Sequence, residues 1–164
     1  MYRLIAVDLD GTLLNSKKEI SPENMKTIMD VILKGVRVVV CSGRVSKAAE
    51  FYAGQVRASG PVISCNGAVI KDMGSGETIY SNPLGIEDSL RIIDLCHREG
   101  LYFHAYVDDD MFTEKLAYDA LEYKSLNERI SGRYCIKINM AHDLGITFRE
   151  NPYPASKFVV ISED

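Results

Sequence analysis

The stretch Leu4-Ile-Ala-Val-Asp8-Leu-Asp10-Gly-Thr12 joins four apolar residues to two acidic residues and a Gly-Thr turn. The apolar residues predict a buried strand over 4–7. Alternate residues of a strand point to the same side, so Asp8 and Asp10 are expected to begin on one side of the sheet. Gly11 then allows the backbone to turn away from them. The strand therefore delivers two carboxylates to one place.

Two carboxylates at this spacing suit phosphoryl transfer, in which one attacks phosphorus and the other manages a proton. The alternative is an acidic strand end followed by a turn. That alternative is the better interpretation of a lone Asp-x-Asp, because short motifs often match by chance. The four preceding apolar residues and the following Gly-Thr favour the catalytic interpretation here.

The first half of the chain alternates predicted strands and helices. After the first strand come a helix capped by Ser21 and ended by Gly35, a strand over 36–41, a helix capped by Ser46 and reaching about Val56, and a strand over 62–70 broken at Asn66-Gly67. This order implies right-handed crossovers and a parallel sheet. We therefore expect an α/β fold.

The second half changes in texture. Its predicted elements are a hairpin over 68–81, a helix that starts near Ile86 and ends before Gly100, strands over 101–107 and 112–115, a helix over 118–129 and a strand over 157–162. Segment 82–85, which contains Pro83, is the best candidate boundary, and it divides the chain into 1–82 and 83–164. The acidic triplet over 108–110 lacks the spaced ligands of a calcium loop, so a hairpin turn is favoured there.

Polar residues follow three of the predicted strands at their carboxyl ends, which is where open α/β sheets bind ligands. These residues are Asp8 and Asp10, then Ser42-Gly43-Arg44, then Asn66-Gly67. Ser42 can donate its hydroxyl to a phosphate oxygen, and Gly43 lets backbone N–H groups approach. Placed beside Asp8 by the fold, this segment is predicted to cradle a phosphate.

The composition is that of an ordinary soluble globular protein, with 164 residues, 46% hydrophobic and 26% charged. A net charge of −4 argues against a nucleic-acid or anionic-membrane surface. No apolar run reaches the ~20 residues of a membrane helix, and the N-terminus lacks a signal-peptide layout, so a cytoplasmic location is predicted. Four cysteines without a Cys-x-x-Cys pair indicate neither a zinc site nor disulfides. The three scattered histidines receive no role.

Three segments resemble the haloacid dehalogenase-like (HAD) superfamily: Asp-Leu-Asp-Gly-Thr-Leu-Leu over 8–14, Val-Val-Val-Cys-Ser-Gly-Arg over 38–44 and Ile-Ser-Cys-Asn-Gly-Ala over 63–68. The Cof-type phosphatase branch, which carries an inserted α/β cap of type IIB, fits best. The resemblance implies part of a Rossmann-like core with a parallel sheet over 1–82, and part of an α/β cap over 83–164. It also implies hydrolysis of a small phosphorylated metabolite, either a sugar phosphate or a phosphorylated cofactor.

The same resemblance assigns roles by motif position. Asp8 matches the nucleophile that becomes an aspartyl-phosphate, and Asp10 matches the general acid/base, with Mg2+ bound by both. To protonate the leaving group, Asp10 should have a pKa above that of Asp8. The remaining implied site residues hold or border the phosphate: Thr12, Ser42, Gly43, Arg44 and Asn66.

Two motifs that the family places after its cap are missing from this sequence. They are a lysine that steadies the phosphoryl charge and an acidic Gly-Asp-x-x-Asn-Asp string. We therefore expect an N-terminal portion of a longer protein, with at most weak turnover on its own. Without further core strands, the strand over 4–7 would be an exposed apolar edge, open to self-association or to pairing with another chain.

Other functions compete with a phosphatase. A non-catalytic assembly half is compatible with the missing motifs. A phosphomutase or phosphotransferase would share the first half-reaction and differ only in whether water or a sugar accepts the phosphoryl group. A phospho-receiver domain is disfavoured, because the third strand ends in Ser64-Cys65-Asn66-Gly67, without the aspartate that such a domain needs there.

Overall fold

The computed structural model of the chain describes residues 2–162. The chain divides into two compact units, Met1–Ser81 and Asn82–Asp164. That the first unit is a partial core and the second a partial cap stays a prediction. Within the described residues, no helix is both long enough and apolar enough to cross a membrane.

The first unit is built on a parallel strand pair. Strand β1 (Leu4–Val7) pairs with β2 (Arg37–Val40), and helix α1 (Pro22–Leu33) connects them. The sequence indicates these bounds well, because Ser21 accepts the N–H of Asn24 at 3.1 Å as the N-cap. Gly35 adopts a φ of +79° just past the helix. Valines 38–40 of β2 are buried.

The rest of this unit follows β2. Helix α2 (Ser46–Gln55) leads to β3 (Val62–Ser64), and a parallel bridge between Cys41 and Ile63 brings β3 beside the end of β2. Ser46 is the first helical residue, so its predicted N-cap role is wrong. Val45 occupies the N-cap position and makes no side-chain cap hydrogen bond. The Ser46 hydroxyl lies 2.8 Å from the Ser64 hydroxyl and hydrogen-bonds to it.

The strand predicted over 62–70 with a break at Asn66-Gly67 is two antiparallel strands, and the break lies where it was predicted. A 3-10 turn (Cys65–Gly67) separates β3 from β4 (Val69–Lys71), and β4 returns beside β3. Cys65, Asn66 and Gly67 have φ values of 50°, 58° and 93°, so the chain reverses. Strand β5 (Thr78–Ser81) pairs antiparallel with β4, which confirms the hairpin over 68–81.

The second unit is a four-stranded sheet with the order β8-β7-β6-β9. The pair β7–β8 is parallel and the other two pairs are antiparallel. The elements in chain order are α3 (Ile86–Glu99), β6 (Tyr102–Val107), β7 (Asp110–Thr113), α4 (Asp119–Arg129), β8 (Ile138–Met140), α5 (Leu144–Glu150) and β9 (Ala155–Ile161). Val107 pairs with Asp110, which confirms the predicted hairpin turn at the acidic triplet. Strand β8 and helix α5 are not among the elements predicted from the sequence.

The core of the second unit lies on one face of β6. Alternate residues of this strand pack with helices α3 and α5 in a single apolar cluster. The buried members of this cluster are Ile93, Cys96, Phe103, Ala105, Val107, Leu144, Phe148 and Ala155. On the other face, the Tyr106 hydroxyl lies 3.1 Å from that of Tyr123 in α4.

Candidate active site

The end of β1 folds into a tight turn that presents Asp8. The N–H groups of Leu13 and Leu14 donate to the carbonyl oxygen of Leu9 at 3.1 and 2.8 Å, and the Leu9 side chain is fully buried. Gly11 takes a φ of +73° within this turn, a conformation that glycine adopts without strain. The Thr12 hydroxyl returns to donate to Oδ2 of Asp8 at 3.3 Å. The two residues therefore act as one local group.

Backbone hydrogen bonds connect the loops after β2 and β3 at the same end of the strands. The Ser42 N–H donates to the carbonyl of Ile63 at 2.9 Å, and the Asn66 N–H donates to that of Ser42 at 3.2 Å. The Arg44 N–H donates to the Ser42 hydroxyl at 3.2 Å. Because that hydroxyl accepts, its own O–H remains a donor. Ser42 and Arg44 are both buried, and Gly43 lies between them.

Asp10 carries the densest set of charge contacts in the predicted site. Arg44 donates two hydrogen bonds to the Asp10 carboxylate, from Nε to Oδ2 at 2.6 Å and from Nη2 to Oδ1 at 2.7 Å. Lys18 adds Nζ on Oδ1 at 2.6 Å. The Arg44 guanidinium also lies 5.5 Å from the centre of the Tyr52 ring, and the Tyr52 hydroxyl donates to the Lys18 carbonyl at 3.2 Å. A two-pronged arginine contact of this kind is strong and directional.

These contacts reverse the expected ionisation of Asp10. Burial raises its pKa, but the hydrogen bonds and charges of Arg44 and Lys18 outweigh burial and lower the pKa from 3.8 to about 2. The expected role needs a protonated Asp10 with a pKa above that of Asp8, and the lowering of the Asp10 pKa in this structure opposes that protonation. At neutral pH this carboxyl is an ion-paired carboxylate.

The predicted residues thus form two local groups, and an ion pair joins them. Asp8 and Thr12 form the first group, and Ser42, Arg44 and Asn66 form the second. The Asp10–Arg44 pair connects them. Their roles in catalysis stay predictions.

Lys18 and Tyr52 are contacts that sequence reasoning missed. Lys18 belongs to a polar turn in which Asn15 Oδ1 accepts the N–H groups of Lys17 and Glu19 at 2.9 and 3.1 Å. The Asn-Ser-Lys-Lys-Glu segment over 15–19 signals such a turn. It carries no signal of the tertiary contact with Asp10.

Asp8 is the residue whose side chain fits Mg2+ here. Its carboxylate oxygens are the ligand type that Mg2+ prefers, and within residues 2–162 Oδ2 accepts only the long Thr12 hydrogen bond. The Asp10 side chain fits poorly in this arrangement, since both of its oxygens are bonded to cationic groups. Metal binding through Asp10 would need Lys18 or Arg44 to withdraw, and it stays a prediction.

The family model for haloacid dehalogenase-like hydrolases matches residues 5–147, and the chain belongs to this family. The match confirms the Cof-type resemblance drawn from the three motifs. A crystal structure of a haloacid dehalogenase-like hydrolase from Bacteroides thetaiotaomicron is 28% identical, with a TM-score of 0.76, and the match covers 99% of this chain and 59% of that one. The predicted α/β fold class is thereby confirmed.

Two curated relatives are named for their substrates. The chain is 29% identical over 112 residues to a pyridoxal phosphate phosphatase of Escherichia coli, covering 68% of this chain and 41% of the relative. It is 32% identical over 111 residues to a 5-amino-6-(5-phospho-D-ribitylamino)uracil phosphatase of Bacillus subtilis, covering 68% and 38%. The chain spans about two fifths of the length of these relatives.

Proposed function

We propose that this chain is the nucleophile-bearing part of a phosphomonoester hydrolase that acts through an aspartyl-phosphate on Asp8. The observation that carries the proposal is the convergence of strand ends. The β1 turn presents Asp8 and Thr12, and the loop after β2 reaches Asp10 through Arg44. The family match supports a hydrolase of this class.

The proposed substrate is a small phosphorylated metabolite. The relatives named above are phosphatases of a phosphorylated cofactor and of a phosphorylated ribitylamino-uracil. Both substrates carry their phosphate on a small organic molecule, and a sugar phosphate belongs to the same chemical class. The negative net charge of the chain agrees with a partner other than nucleic acid or an anionic membrane surface.

In the proposed first step, a carboxylate oxygen of Asp8 forms a bond to phosphorus, and the bond from phosphorus to the substrate alcohol breaks. The Ser42 hydroxyl and neighbouring N–H groups would hold the phosphoryl oxygens. Mg2+ bound by Asp8 would offset negative charge on the phosphoryl group. Water then hydrolyses the acyl-phosphate and restores Asp8.

Asp10 would give its proton to the leaving alkoxide and later take one from water. The Arg44 and Lys18 contacts hold it as a carboxylate in this structure, so a proton on Asp10 requires those contacts to loosen. Substrate phosphate is itself an anion and competes for the same two cations. Binding of the substrate phosphate would therefore draw Arg44 and Lys18 away from Asp10.

The nucleophile is tested by Asp8→Asn with p-nitrophenyl phosphate and Mg2+. We expect weak turnover by the 164-residue chain and turnover at the level of buffer alone for the variant. Asp30→Asn is the matched control, since Asp30 is an exposed aspartate of α1. Rapid-quench mass spectrometry should detect phosphate on Asp8 even when turnover is slow. Equal activity of Asp8→Asn and wild type, or phosphate on another residue, would contradict the proposal.

A second candidate, an assembly half, is favoured by the exposed edge of β1. Within the described residues this strand pairs only with β2, and Leu4 is 52% exposed. An apolar edge with free backbone groups can pair with a further strand. The test is to add a polypeptide that matches the remaining length of the relatives. A large gain in Asp8-dependent turnover supports a half-enzyme, whereas brisk turnover by the chain alone contradicts it.

A further inference from the structure

A second cluster of ionisable side chains lies within the Asn82–Asp164 unit. His97 comes from the last turn of α3, Glu114 directly follows β7, and Asp143 is the N-cap of α5. One ligand atom from each residue lies within 4.8 Å of the others. His97 Nε2 is 2.8 and 3.0 Å from the two carboxylate oxygens of Glu114. Three elements thus bring one imidazole and two carboxylates together.

Backbone hydrogen bonds orient both carboxylates. The Leu144 N–H donates to Glu114 Oε1 at 2.6 Å, and the Ile146 N–H donates to Asp143 Oδ1 at 2.9 Å. The His97 ring packs edge-on against Phe103, with ring centres 5.4 Å apart. Fixed partners of this kind orient metal ligands in proteins. The second carboxylate oxygen of Asp143 receives no hydrogen bond from residues 2–162.

The cluster is reachable from solvent. His97 and Glu114 line a cavity of about 590 Å³, together with Tyr102 and Lys115. Both side chains are partly exposed within it. An ion can therefore reach His97 and Glu114 from this cavity.

Helix capping alone does not explain the whole arrangement. Glu114 and Asp143 each accept an N–H near the start of α5, and the His97–Glu114 hydrogen bond supports the first of these contacts. Capping leaves two carboxylates within 4.8 Å of each other and of one imidazole. Two carboxylates at that distance repel each other, and a bound cation would offset the repulsion that the backbone N–H groups and His97 leave.

We propose that His97, Glu114 and Asp143 bind a divalent transition-metal ion, of which Zn2+ is the best match. An imidazole nitrogen favours Zn2+ over Mg2+ or Ca2+, which prefer oxygen ligands. The two carboxylates balance the charge of the ion when the imidazole is neutral. Three protein ligands leave a fourth tetrahedral position for water from the cavity. The ion would tie α3, β7 and α5 together, independently of the Asp8 site.

Calorimetric titration of the reduced 164-residue chain with Zn2+ tests the proposal. We expect one ion per chain, and at least about a 100-fold loss of affinity in each of His97→Gln, Glu114→Gln and Asp143→Asn. Gln and Asn keep an oxygen that accepts the backbone N–H groups, so the two acidic variants should fold. Thermal unfolding with and without Zn2+ checks that they do.

Three further variants separate this site from other places where zinc could bind. His142→Gln changes an exposed histidine next to Asp143, Cys135→Ser removes an exposed thiol, and Asp30→Asn changes an exposed aspartate of α1 outside both sites. All three should bind Zn2+ as wild type does. Wild-type affinity in His97→Gln and Asp143→Asn, or a comparable loss in any of these controls, would overturn the proposal.

NMR of the wild-type chain tests the same assignment without relying on variants that fold correctly. Zn2+ should move the 15N signal of His97 Nε2 at one equivalent and leave that of His142 unchanged. Mg2+ at the same concentration should move neither signal. A shift at His142 alone, or no shift at His97, would contradict the assignment.

Discussion

Strands β1 and β6 show how differently the two units cover their sheets. β6 lies between β7 and β9, and its residues 103–107 are all buried. β1 pairs with β2 alone among the described residues, and Leu4 and Ile5 are exposed. The candidate active site therefore follows the less covered strand. Charge contacts, rather than burial on both sides, hold its Asp10 in place.

The largest expected difference between the two units is in the free energy of unfolding that is lost when an apolar side chain is removed. Phe148 is fully buried in the second unit and packs against Phe112, Tyr153 and Phe158. Phe148→Ala should lower the free energy of unfolding by about 3–5 kcal/mol, because it leaves a cavity. Leu33→Ala in α1, at a side chain that is 84% exposed, should change it by less than about 0.5 kcal/mol. Urea unfolding measures both, and equal losses would contradict the comparison.

Acid should weaken the second unit first, through His104. Burial lowers the pKa of this imidazole from 6.5 to about 4, and the Lys157 charge adds to the effect. The unfolded chain takes up the proton first, so stability is complete above pH 6.5 and falls between pH 6.5 and 4. The loss should be about 3 kcal/mol over that range. Neither ring nitrogen has a hydrogen-bond partner in the described chain, and Asp119 Oδ2 lies 3.6 Å from Nε2.

His104→Leu should remove most of this pH dependence, and His142→Gln, at an exposed histidine, should leave it unchanged. Unfolding in urea at pH 7.5 and 4.5 measures the difference for each variant. The same slope in wild type and His104→Leu would show that another group titrates.

The first unit should respond to acid later and less, through Asp10. Its pKa is lowered to about 2, so its contribution is present above pH 3.8 and is lost as the pH falls toward 2. Because its side chain is 40% exposed, solvent screening limits the loss to about 1 kcal/mol. In Arg44→Gln the pKa of Asp10 should rise, since burial then meets less opposition. A carboxyl 13C titration by NMR measures this, and an unchanged pKa would contradict the role given to Arg44.

A substitution on the exposed edge of β1 should have the smallest effect on the free energy of unfolding but a clear effect on self-association. Leu4→Lys places a charge on the exposed edge and should reduce self-association measured by sedimentation. Its effect on the free energy of unfolding should stay within about 0.5 kcal/mol. Leu121→Lys is the matched control, since Leu121 of α4 is 50% exposed. Equal effects of the two variants would mean that no specific edge pairing occurs.

Local signals in the sequence predicted well wherever one residue decides a local structure. The start of α1 at Ser21 and Pro22 was predicted correctly, because the Ser21 side chain accepts the N–H of Asn24, only three residues away. Gly100, with a φ of 64°, ended α3 because its conformation suits glycine. Strand β8 and helix α5 escaped prediction, since three- and seven-residue elements carry too short a periodicity to read.

The alternation of strands and helices in the first unit, the turn after β1 and the family motifs were determined by the sequence itself, because each depends on residues that are close along the chain. The tertiary structure decided which charges meet. Arg44 lies 34 residues from Asp10 and Glu114 lies 17 from His97, and no local pattern encodes either contact. The ionisation of Asp10 and the proposed metal site both follow from such distant pairs. A pKa depends on the charges around a group in space, and folding alone determines those.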